Sequence, residues 1–277
     1  MDNKDNLVKD SFILFVASSI VNLSNFVFHM FATRNLKPED YGALATLLGI
    51  IMVVSMPCMA IQMSIVKKTS SLKAREAMAE IGNLFRDASK WLFIISIFVF
   101  FTFFFFADII KDFFNLKDKK LIYVLGFVLI MYFILPVVRG VLQGLQRFLG
   151  YGINIIIDAL CRLLFLILFV YFGFGVYGAL GTTFFSGTCA YIVGLFMLSN
   201  LIKLKNDDRK NTTYFKDMLT FALPVLFSLL GFSLLGYVDL FMVKHFYPEE
   251  EAGLYAVTSI IGKAFLFFPS AIVTALF

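Results

Sequence analysis

Long apolar segments recur along the whole chain, and this feature restricts the fold more than any other. Each holds about 20 or more mostly apolar residues, the length at which an α-helix spans the hydrocarbon core of a bilayer. Transmembrane strands are excluded because they need only about ten residues and alternate strictly between apolar and polar side chains. We therefore predict eight membrane-spanning helices, at Ser11–Thr33, Tyr41–Val66, Trp91–Ile110, Leu121–Gln143, Ile153–Phe172, Val176–Ile202, Met218–Phe246 and Ala252–Phe277.

The composition agrees with a protein that is dissolved in lipid. Hydrophobic residues make up 60% of the 277 residues and charged residues 16%, with a mean hydropathy of +0.86. Apolar residues normally approach about half of a soluble domain, so the excess requires hydrocarbon as its solvent. The polar first ten residues and the lack of a small-residue cleavage site predict no secretory signal. Cys58, Cys161 and Cys189 lie in apolar segments without metal-ligand spacing, so we expect neither a metal nor a cofactor.

The basic residues predict the orientation in the membrane. With a cytoplasmic N-terminus, the cytoplasmic segments hold fourteen Lys and Arg residues and the outside segments hold seven, counting Lys244 at the outer end of the seventh span. This excess fits the positive-inside rule, although the cluster from Lys117 to Lys120 opposes it. We expect a multi-pass protein of the inner (cytoplasmic) membrane, and the net charge of +5 indicates contact with membrane lipids rather than with nucleic acid.

Two connections between the spans have distinct compositions. Residues 72–88 carry apolar side chains at three- and four-residue spacing with charged residues opposite, which predicts an amphipathic helix on the cytoplasmic membrane surface. The polar segment 203–216 predicts a cytoplasmic linker. The expected domains are therefore a first six-helix transmembrane lobe at 1–202, the linker at 203–216 and the start of a second lobe at 217–277.

The chain contains an internal repeat. The same order of elements follows Lys9 and, later in the chain, Lys216. It consists of a long span, a turn with proline and acids, and a span that begins near a glycine. Pro38 corresponds to Pro248 and Gly42 to Gly253, at offsets of 210 and 211 residues. Six spans separate the two starts, so the repeats are parallel, an arrangement that recurs in secondary transporters. By this alignment Phe277 falls at the end of a second span, and we expect a truncated second repeat.

Three motifs resemble those of bacterial polysaccharide flippases. They are the turn at residues 35–42 (NLKPEDYG), the end of the fourth span at residues 138–148 (VRGVLQGLQRF) and residues 237–243 of the seventh span (YVDLFMV). The sequence is thereby similar to the Wzx-like branch of the multidrug/oligosaccharidyl-lipid/polysaccharide (MOP) exporter superfamily. The resemblance implies an all-α polytopic membrane protein with a MATE/MOP-like fold, comprising a first six-helix lobe and the first two helices of a second.

The resemblance also implies a function. The expected activity is alternating-access flipping of an undecaprenyl-pyrophosphate-linked oligosaccharide across the cytoplasmic membrane for surface polysaccharide biosynthesis, with H⁺ or Na⁺ as a candidate coupling ion. The alternative is a cation-coupled multidrug (MATE-type) exporter. A membrane-bound enzyme is disfavoured because the loops show no set of catalytic acid and base residues.

Polar residues inside the first span form a stripe. Ser18, Asn22, Asn25 and His29 follow one another at three- or four-residue spacing, so they share one face of the helix. This face is expected to line the lobe interior or a cavity. Hydrogen bonding between helices is the alternative, because Ser and Asn commonly play that part in membranes.

Five charged residues that lie more than two positions from a span end are further candidates. Asp158 and Arg162, at i and i+4, form either a mutual ion pair or a site where Arg162 binds a lipid phosphate and Asp158 responds to a coupling ion. Arg139 either binds cargo or snorkels to the cytoplasmic surface. Asp239 is either an ion-coupling residue or a structural partner. Lys263 is placed about 15 Å into the last span, where we expect it to contact the pyrophosphate.

The balance of charge inside the spans separates the two transport functions. Leaving aside Asp108 and Lys244, which lie within two residues of a span end, the three cations Arg139, Arg162 and Lys263 outnumber the acids Asp158 and Asp239. A drug exporter needs acids in its cavity to attract organic cations, whereas an excess of cations favours an anionic cargo. The sequence therefore favours the flippase.

Overall fold

The computed structural model describes residues 2–203, 214–259 and 262, which form α-helices joined by short turns. The helices are α1 (Asp2–Asn35), α2 (Pro38–Val54), α3 (Met56–Ala74), α4 (Met78–Phe105), α5 (Ala107–Phe113), α6 (Lys120–Gly144), α7 (Phe148–Tyr171), α8 (Gly175–Lys203), α9 (Tyr214–Phe246) and α10 (residues 249–259).

The predicted spans agree closely with these helices. In the described part of the chain, seven helical segments are long and apolar enough to cross a membrane. They correspond in order to the first seven predicted spans. The eighth predicted span begins in α10, and most of it lies outside the described residues, as do residues 204–213 of the predicted linker.

The second span is interrupted at Ser55, where α2 ends and α3 begins. Pro57 follows two positions later and has no N–H to donate, so it cannot extend the hydrogen-bond ladder of α2. The hydroxyl of Ser55 donates instead to the carbonyl oxygen of Met52 at 3.0 Å. The sequence predicted one continuous helix here, and the structure corrects it to two helices with a break between them.

The predicted surface helix at residues 72–88 is not a separate element, and this prediction was wrong. After α3 ends, a turn with Glu76 at φ 58° leads directly into α4, which continues to Phe105. The amphipathic pattern is real, but Ile81, Leu84 and Phe85 are buried in the helix bundle. Packing against α6 removes these side chains from both water and headgroups, which a helix lying on the membrane cannot do.

Contacts between the turns define two ends of the bundle. The ammonium group of Lys73 donates hydrogen bonds to the carbonyl oxygen of Leu145 at 2.9 Å and to the side-chain oxygen of Gln146 at 2.7 Å. The turns after α3 and α6 therefore lie together. We call this the Lys73 end. At the opposite end, which we call the Lys117 end, the turns after α1, α5 and α9 meet. Successive turns thus alternate between ends, as the predicted topology requires, while the orientation in the membrane stays a prediction.

The two repeats meet at corresponding residues. The segment α9–turn–α10 repeats the segment α1–turn–α2, and Gly42 of α2 lies against Gly253 of α10. A Cβ atom added to Gly42 would lie 2.8 Å from the Cα of Gly253, and one added to Gly253 would strike the carbonyl of Pro38. Only glycine permits this approach of two backbones. The structure therefore explains why a glycine follows the proline turn in each copy.

Candidate functional site

A cavity of about 410 Å³ lies inside the first six-span unit. It is bounded by α1, α2, α3, α6, α7 and α8, and the break at Ser55 forms part of its wall. Its volume falls within the range of ligand pockets, about 300 to 1,000 Å³. Its polar lining consists of Ser18, Asn22, Asn25, Ser55, Gln62, Tyr132, Arg139, Tyr151, Asp158, Arg162 and Thr183.

Asp158 is the centre of a charged cluster in this cavity. One carboxylate oxygen accepts a hydrogen bond from Arg139 at 2.8 Å. The other accepts from Arg162 at 3.3 Å and from the hydroxyl of Ser186 at 2.8 Å. The predicted pairing of Asp158 with Arg162 is therefore present, but it is one half of a three-residue arrangement.

Arg139 is held inside the bundle rather than at its surface. Its side chain is 19% exposed, and its Nε donates to the side-chain oxygen of Asn154 at 3.0 Å. Asn154 in turn donates to the carbonyl oxygen of Ala190 at 2.6 Å, which ties α6 to α8 through α7. The alternative that Arg139 snorkels to the membrane surface is therefore wrong, because its charge is neutralised internally.

The cluster carries more positive than negative charge. Two guanidinium groups share one carboxylate, which leaves a surplus of one positive charge. Tyr132 lines the same cavity as Arg162, and the Nε of Arg162 has no hydrogen-bond partner among the described residues. Guanidinium groups bind carboxylate and phosphate oxygens with two parallel hydrogen bonds, so such a surplus favours an anion in the cavity.

Helix geometry and one proline assemble this cluster. Asn154, Asp158 and Arg162 are spaced four residues apart, so they stand on one face of α7. On α6, Pro136 precedes Arg139 by about one turn and cannot donate to the carbonyl oxygen of Tyr132. The carbonyl oxygen of Tyr132, a residue of the cavity wall, therefore accepts no hydrogen bond from the residue four positions later.

The polar stripe on α1 divides between two environments. Ser18, Asn22 and Asn25 line the cavity, which agrees with the prediction for this face. His29 lies closer to the Lys117 end, where its Nδ1 is 3.1 Å from the hydroxyl of Tyr41. The stripe thus lines the cavity at its first three residues and contacts α2 at His29, and the part that it plays in binding stays a prediction.

Three residues of the site were not among the candidates from the sequence. Asn154 shares the Asp158 face of α7, so the same four-residue spacing would have identified it. Ser186 and Tyr132 lie on other helices, and only the packing of α6 and α8 against α7 brings them to the cluster. No spacing rule within the chain predicts contacts of that kind.

The two candidates in the second repeat have different outcomes. Tyr255 of α10 donates its hydroxyl to Asp239 at 2.9 Å, and the other carboxylate oxygen is buried without a partner among the described residues. A structural partner for Asp239 is therefore present, and its role in ion coupling stays a prediction. Lys263 lies outside the described residues, so its contact with cargo also stays a prediction.

A second charged cluster lies at the Lys117 end. Lys117 forms ion pairs with Glu39 of α2 and, at 3.6 Å, with Glu249 of α10. The hydrogen bond to Glu39 raises the pKa of Lys117. Close by, the N–H of Lys120 and the hydroxyl of Tyr177 lower the pKa of the Asp118 carboxyl. From the sequence, Lys117 bore only on the orientation, and the acids of the two turns bore only on the internal repeat and the family resemblance.

Comparisons with known proteins identify the family. The model of the family described as "Polysaccharide biosynthesis protein" matches residues 7–277. No curated protein matches the sequence. Among solved structures, the chain is similar to the MATE multidrug transporter DinF-BH, with 17% identity and a TM-score of 0.77. The match covers 98% of this chain and 64% of that one, so the chain spans less than two thirds of that transporter.

Two further structures have the same fold. A MATE protein in complex with Br-NRF is 16% identical with a TM-score of 0.72, over 99% of this chain and 71% of the other. A MOP superfamily transporter from Pyrococcus furiosus, whose binding pocket is described as having reverse polarity, is 17% identical with a TM-score of 0.63, over 95% and 68% of the two chains. Identities this low establish the fold alone. The chain thus has the fold of the MOP superfamily transporters, and by its sequence it belongs to the polysaccharide biosynthesis protein family.

Proposed function

We propose that this protein flips an undecaprenyl-pyrophosphate-linked oligosaccharide across the cytoplasmic membrane by alternating access. The observation that carries the proposal is the surplus positive charge of the Arg139–Asp158–Arg162 cluster in the cavity. Family membership supports a role in polysaccharide biosynthesis. The cargo combines a polar glycan and two phosphates with a long apolar chain, so its anionic part needs a compensating cation wherever it leaves water.

The cavity suits the pyrophosphate and the first sugar of such a cargo. Its volume of about 410 Å³ holds a polar head group, while the apolar chain stays in lipid. The two arginines supply donors for phosphate oxygens. Ser18, Asn22, Asn25 and Gln62 supply neutral donors and acceptors of the type that sugar hydroxyls need.

The multidrug alternative is disfavoured by the state of Asp158. An organic cation needs an available carboxylate, and both oxygens of Asp158 already accept from arginine. An added cation would also be repelled by the surplus charge, and this repulsion is strong where the local dielectric is low. For the Pyrococcus furiosus transporter, the reverse polarity of the binding pocket is described as suggesting a different function, so pocket polarity differs between transporters of this fold.

The proposal includes an orientation and a coupling ion. With the N-terminus in the cytoplasm, the Lys73 end faces the cytoplasm and the Lys117 end faces outside. Asp239 is a coupling candidate with one carboxylate oxygen left without a partner in the described structure. Asp158 is the other candidate, and it would exchange an arginine partner for the ion.

The experiment removes the surplus charge while leaving Asp158 paired. In Arg162→Gln, Asp158 still accepts from Arg139 and Ser186, so the fold is retained and the cluster becomes neutral. We expect a loss of lipid-linked oligosaccharide translocation of about tenfold or more in proteoliposomes, since a hydrogen bond to a charged group contributes about 1.5–3 kcal/mol. Arg162→Lys keeps the charge and should retain part of the activity.

The matched control is Lys119→Gln, which removes one positive charge at the Lys117 end, away from the cavity. Its translocation should equal that of the unchanged protein. Normal translocation by Arg162→Gln at normal membrane abundance would contradict the proposal. Efflux of an organic cation such as ethidium by the unchanged protein, without translocation of the lipid-linked glycan, would support the multidrug alternative instead.

A further inference from the structure

Lys117 is held between two acids that come from different repeats. Glu39 lies in the first turn of α2, and Glu249 lies in the first turn of α10, at corresponding positions of the internal repeat. Lys117 itself belongs to the first repeat, in the turn between α5 and α6. Its ion pair with Glu39 is therefore internal to the first repeat, whereas its pair with Glu249 joins the two repeats.

A buried lysine lies beside these acids. Lys244, near the end of α9, is 1% exposed and lines a small cavity of about 110 Å³ together with Glu39, Glu249 and Lys117. Burial of an ammonium group is costly unless acids are close by. If the repeats separate at this end, Lys117 loses Glu249 but Lys244 regains water. The two changes oppose each other, so the closed arrangement is held by a small net free energy.

Other contacts at this end also cross from one repeat to the other. Asn115 donates to the carbonyl oxygen of His245 at 3.0 Å, and the ring of His245 stacks on Phe113 at 4.3 Å between centroids. Gly42 and Gly253 bring the backbones of α2 and α10 together about one helical turn after Glu39 and Glu249. The ion pair, the hydrogen bond and the close backbone packing thus all join the two repeats at the Lys117 end.

We propose that Lys117 is the movable part of an electrostatic latch that keeps the two repeats closed at the Lys117 end. Release of Lys117 from Glu249 opens this end and admits water to the boundary between α2 and α10. The latch acts on the conformation of the protein and is independent of the identity of the cargo. It can therefore be tested separately from the proposed function.

The test measures how often this end opens. Ala43 is 8% exposed and lines the small cavity, so a cysteine there reacts with a water-soluble maleimide only when the end opens. The reporter is Ala43→Cys in a protein whose three native cysteines are changed to alanine. The purified protein is labelled in detergent, where the reagent reaches both ends and the result does not depend on membrane orientation.

Lys117→Gln should raise the labelling rate about two- to fivefold, the change expected from loss of an exposed ion pair of ordinary strength. Glu249→Gln should give a similar rise, and it serves as the second variant if Lys117→Gln is not produced. The matched control is Lys119→Gln, because Lys119 pairs with Asp108 inside the first repeat at 3.3 Å. Its labelling rate should be unchanged.

Two outcomes would overturn the latch. Unchanged labelling in both Lys117→Gln and Glu249→Gln would show that the acids and Lys117 do not hold the end closed. An equal rise in Lys119→Gln would show that loss of any lysine in the 114–119 turn loosens this region, with no special role for the pair that joins the repeats.

Discussion

The two charged clusters of this protein differ in burial, in charge balance and in what they connect. The Arg139–Asp158–Arg162 cluster lies inside one repeat, with side chains 11–19% exposed and a surplus of positive charge. The Glu39–Lys117–Glu249 cluster lies between two repeats, with side chains 30–52% exposed and more acids than lysines at Lys117 itself. In both clusters one charged side chain lies between two of opposite sign, but the buried cluster suits a fixed site and the exposed cluster suits a contact that can break.

The difference lies in the free energy of breaking each cluster. Loss of one member of a buried ion pair leaves an uncompensated charge and costs about 3–5 kcal/mol, whereas an exposed pair contributes about 0–1 kcal/mol. The buried cluster therefore keeps a single arrangement and presents its surplus charge to the cavity. The exposed cluster costs little free energy to break, as the proposed latch requires.

The largest effect is expected from Asp158→Ala, which leaves both arginines without their carboxylate. We expect destabilisation of about 3–5 kcal/mol, measured as a large fall in the thermal unfolding midpoint of the purified protein and in membrane abundance. Asp108→Ala, which removes the exposed partner of Lys119, is the control and should change stability by about 1 kcal/mol or less.

The same experiment distinguishes a pair from a three-residue cluster. Because Arg139 also depends on Asp158, the double change Asp158→Ala with Arg162→Ala should recover only part of the lost stability. Full recovery would mean that Arg139 is adequately held by Asn154 alone, and the cluster would reduce to the i, i+4 pair.

An intermediate effect is expected from Gly42→Ala at the boundary between the repeats. The new methyl group would lie 2.8 Å from Gly253 Cα, so α2 and α10 must separate. Overpacking of this kind destabilises a packed contact by about 1–3 kcal/mol. The rate at which the maleimide labels Ala43→Cys should therefore rise. Gly181→Ala in α8 is the control, because nothing lies within 4 Å of its added methyl group. A Gly42→Ala protein that labels no faster than this control would show that close backbone packing does not hold the end closed.

The smallest effect is expected from salt. Raising the ionic strength from about 0.1 M to about 1 M shortens the screening length from about 10 Å to about 3 Å, which weakens exposed pairs far more than buried ones. Labelling of Ala43→Cys should therefore rise modestly, and the rise should vanish in Lys117→Gln. The thermal unfolding midpoint, to which the buried cluster contributes, should change little. If salt still raised the labelling rate in Lys117→Gln, the effect would come from charges other than Lys117.

Much of the architecture followed from sequence patterns. The seven described spans, the parallel repeat and the family resemblance all depend on apolar segment length and on residue order, which a membrane constrains tightly. The prediction for residues 72–88 failed because an amphipathic pattern reports that one face is covered, and the headgroup layer and a neighbouring helix cover it equally well. The break at Ser55 was missed because a single proline interrupts a helix locally without changing the mean hydropathy of the span.

In the candidate sites, the sequence predicted a contact within one helix but not the contacts between helices. Asp158 and Arg162 were paired correctly because a helix places residues four apart on one face. The pairing of Arg139 with Asp158 and that of Lys117 with Glu249 were not predicted, because each joins helices that are brought together only by packing.

The sequence by itself determined that the chain spans a membrane, that it repeats and that its spans hold more cations than acids, because these properties are sums over residues or regular spacings. Only the tertiary structure decided which charges neutralise one another, where the cavity holds a surplus of positive charge and where the two repeats touch. The physical reason is that electrostatic interactions depend on distance and burial, and for residues on different helices both quantities are set by how the helices pack.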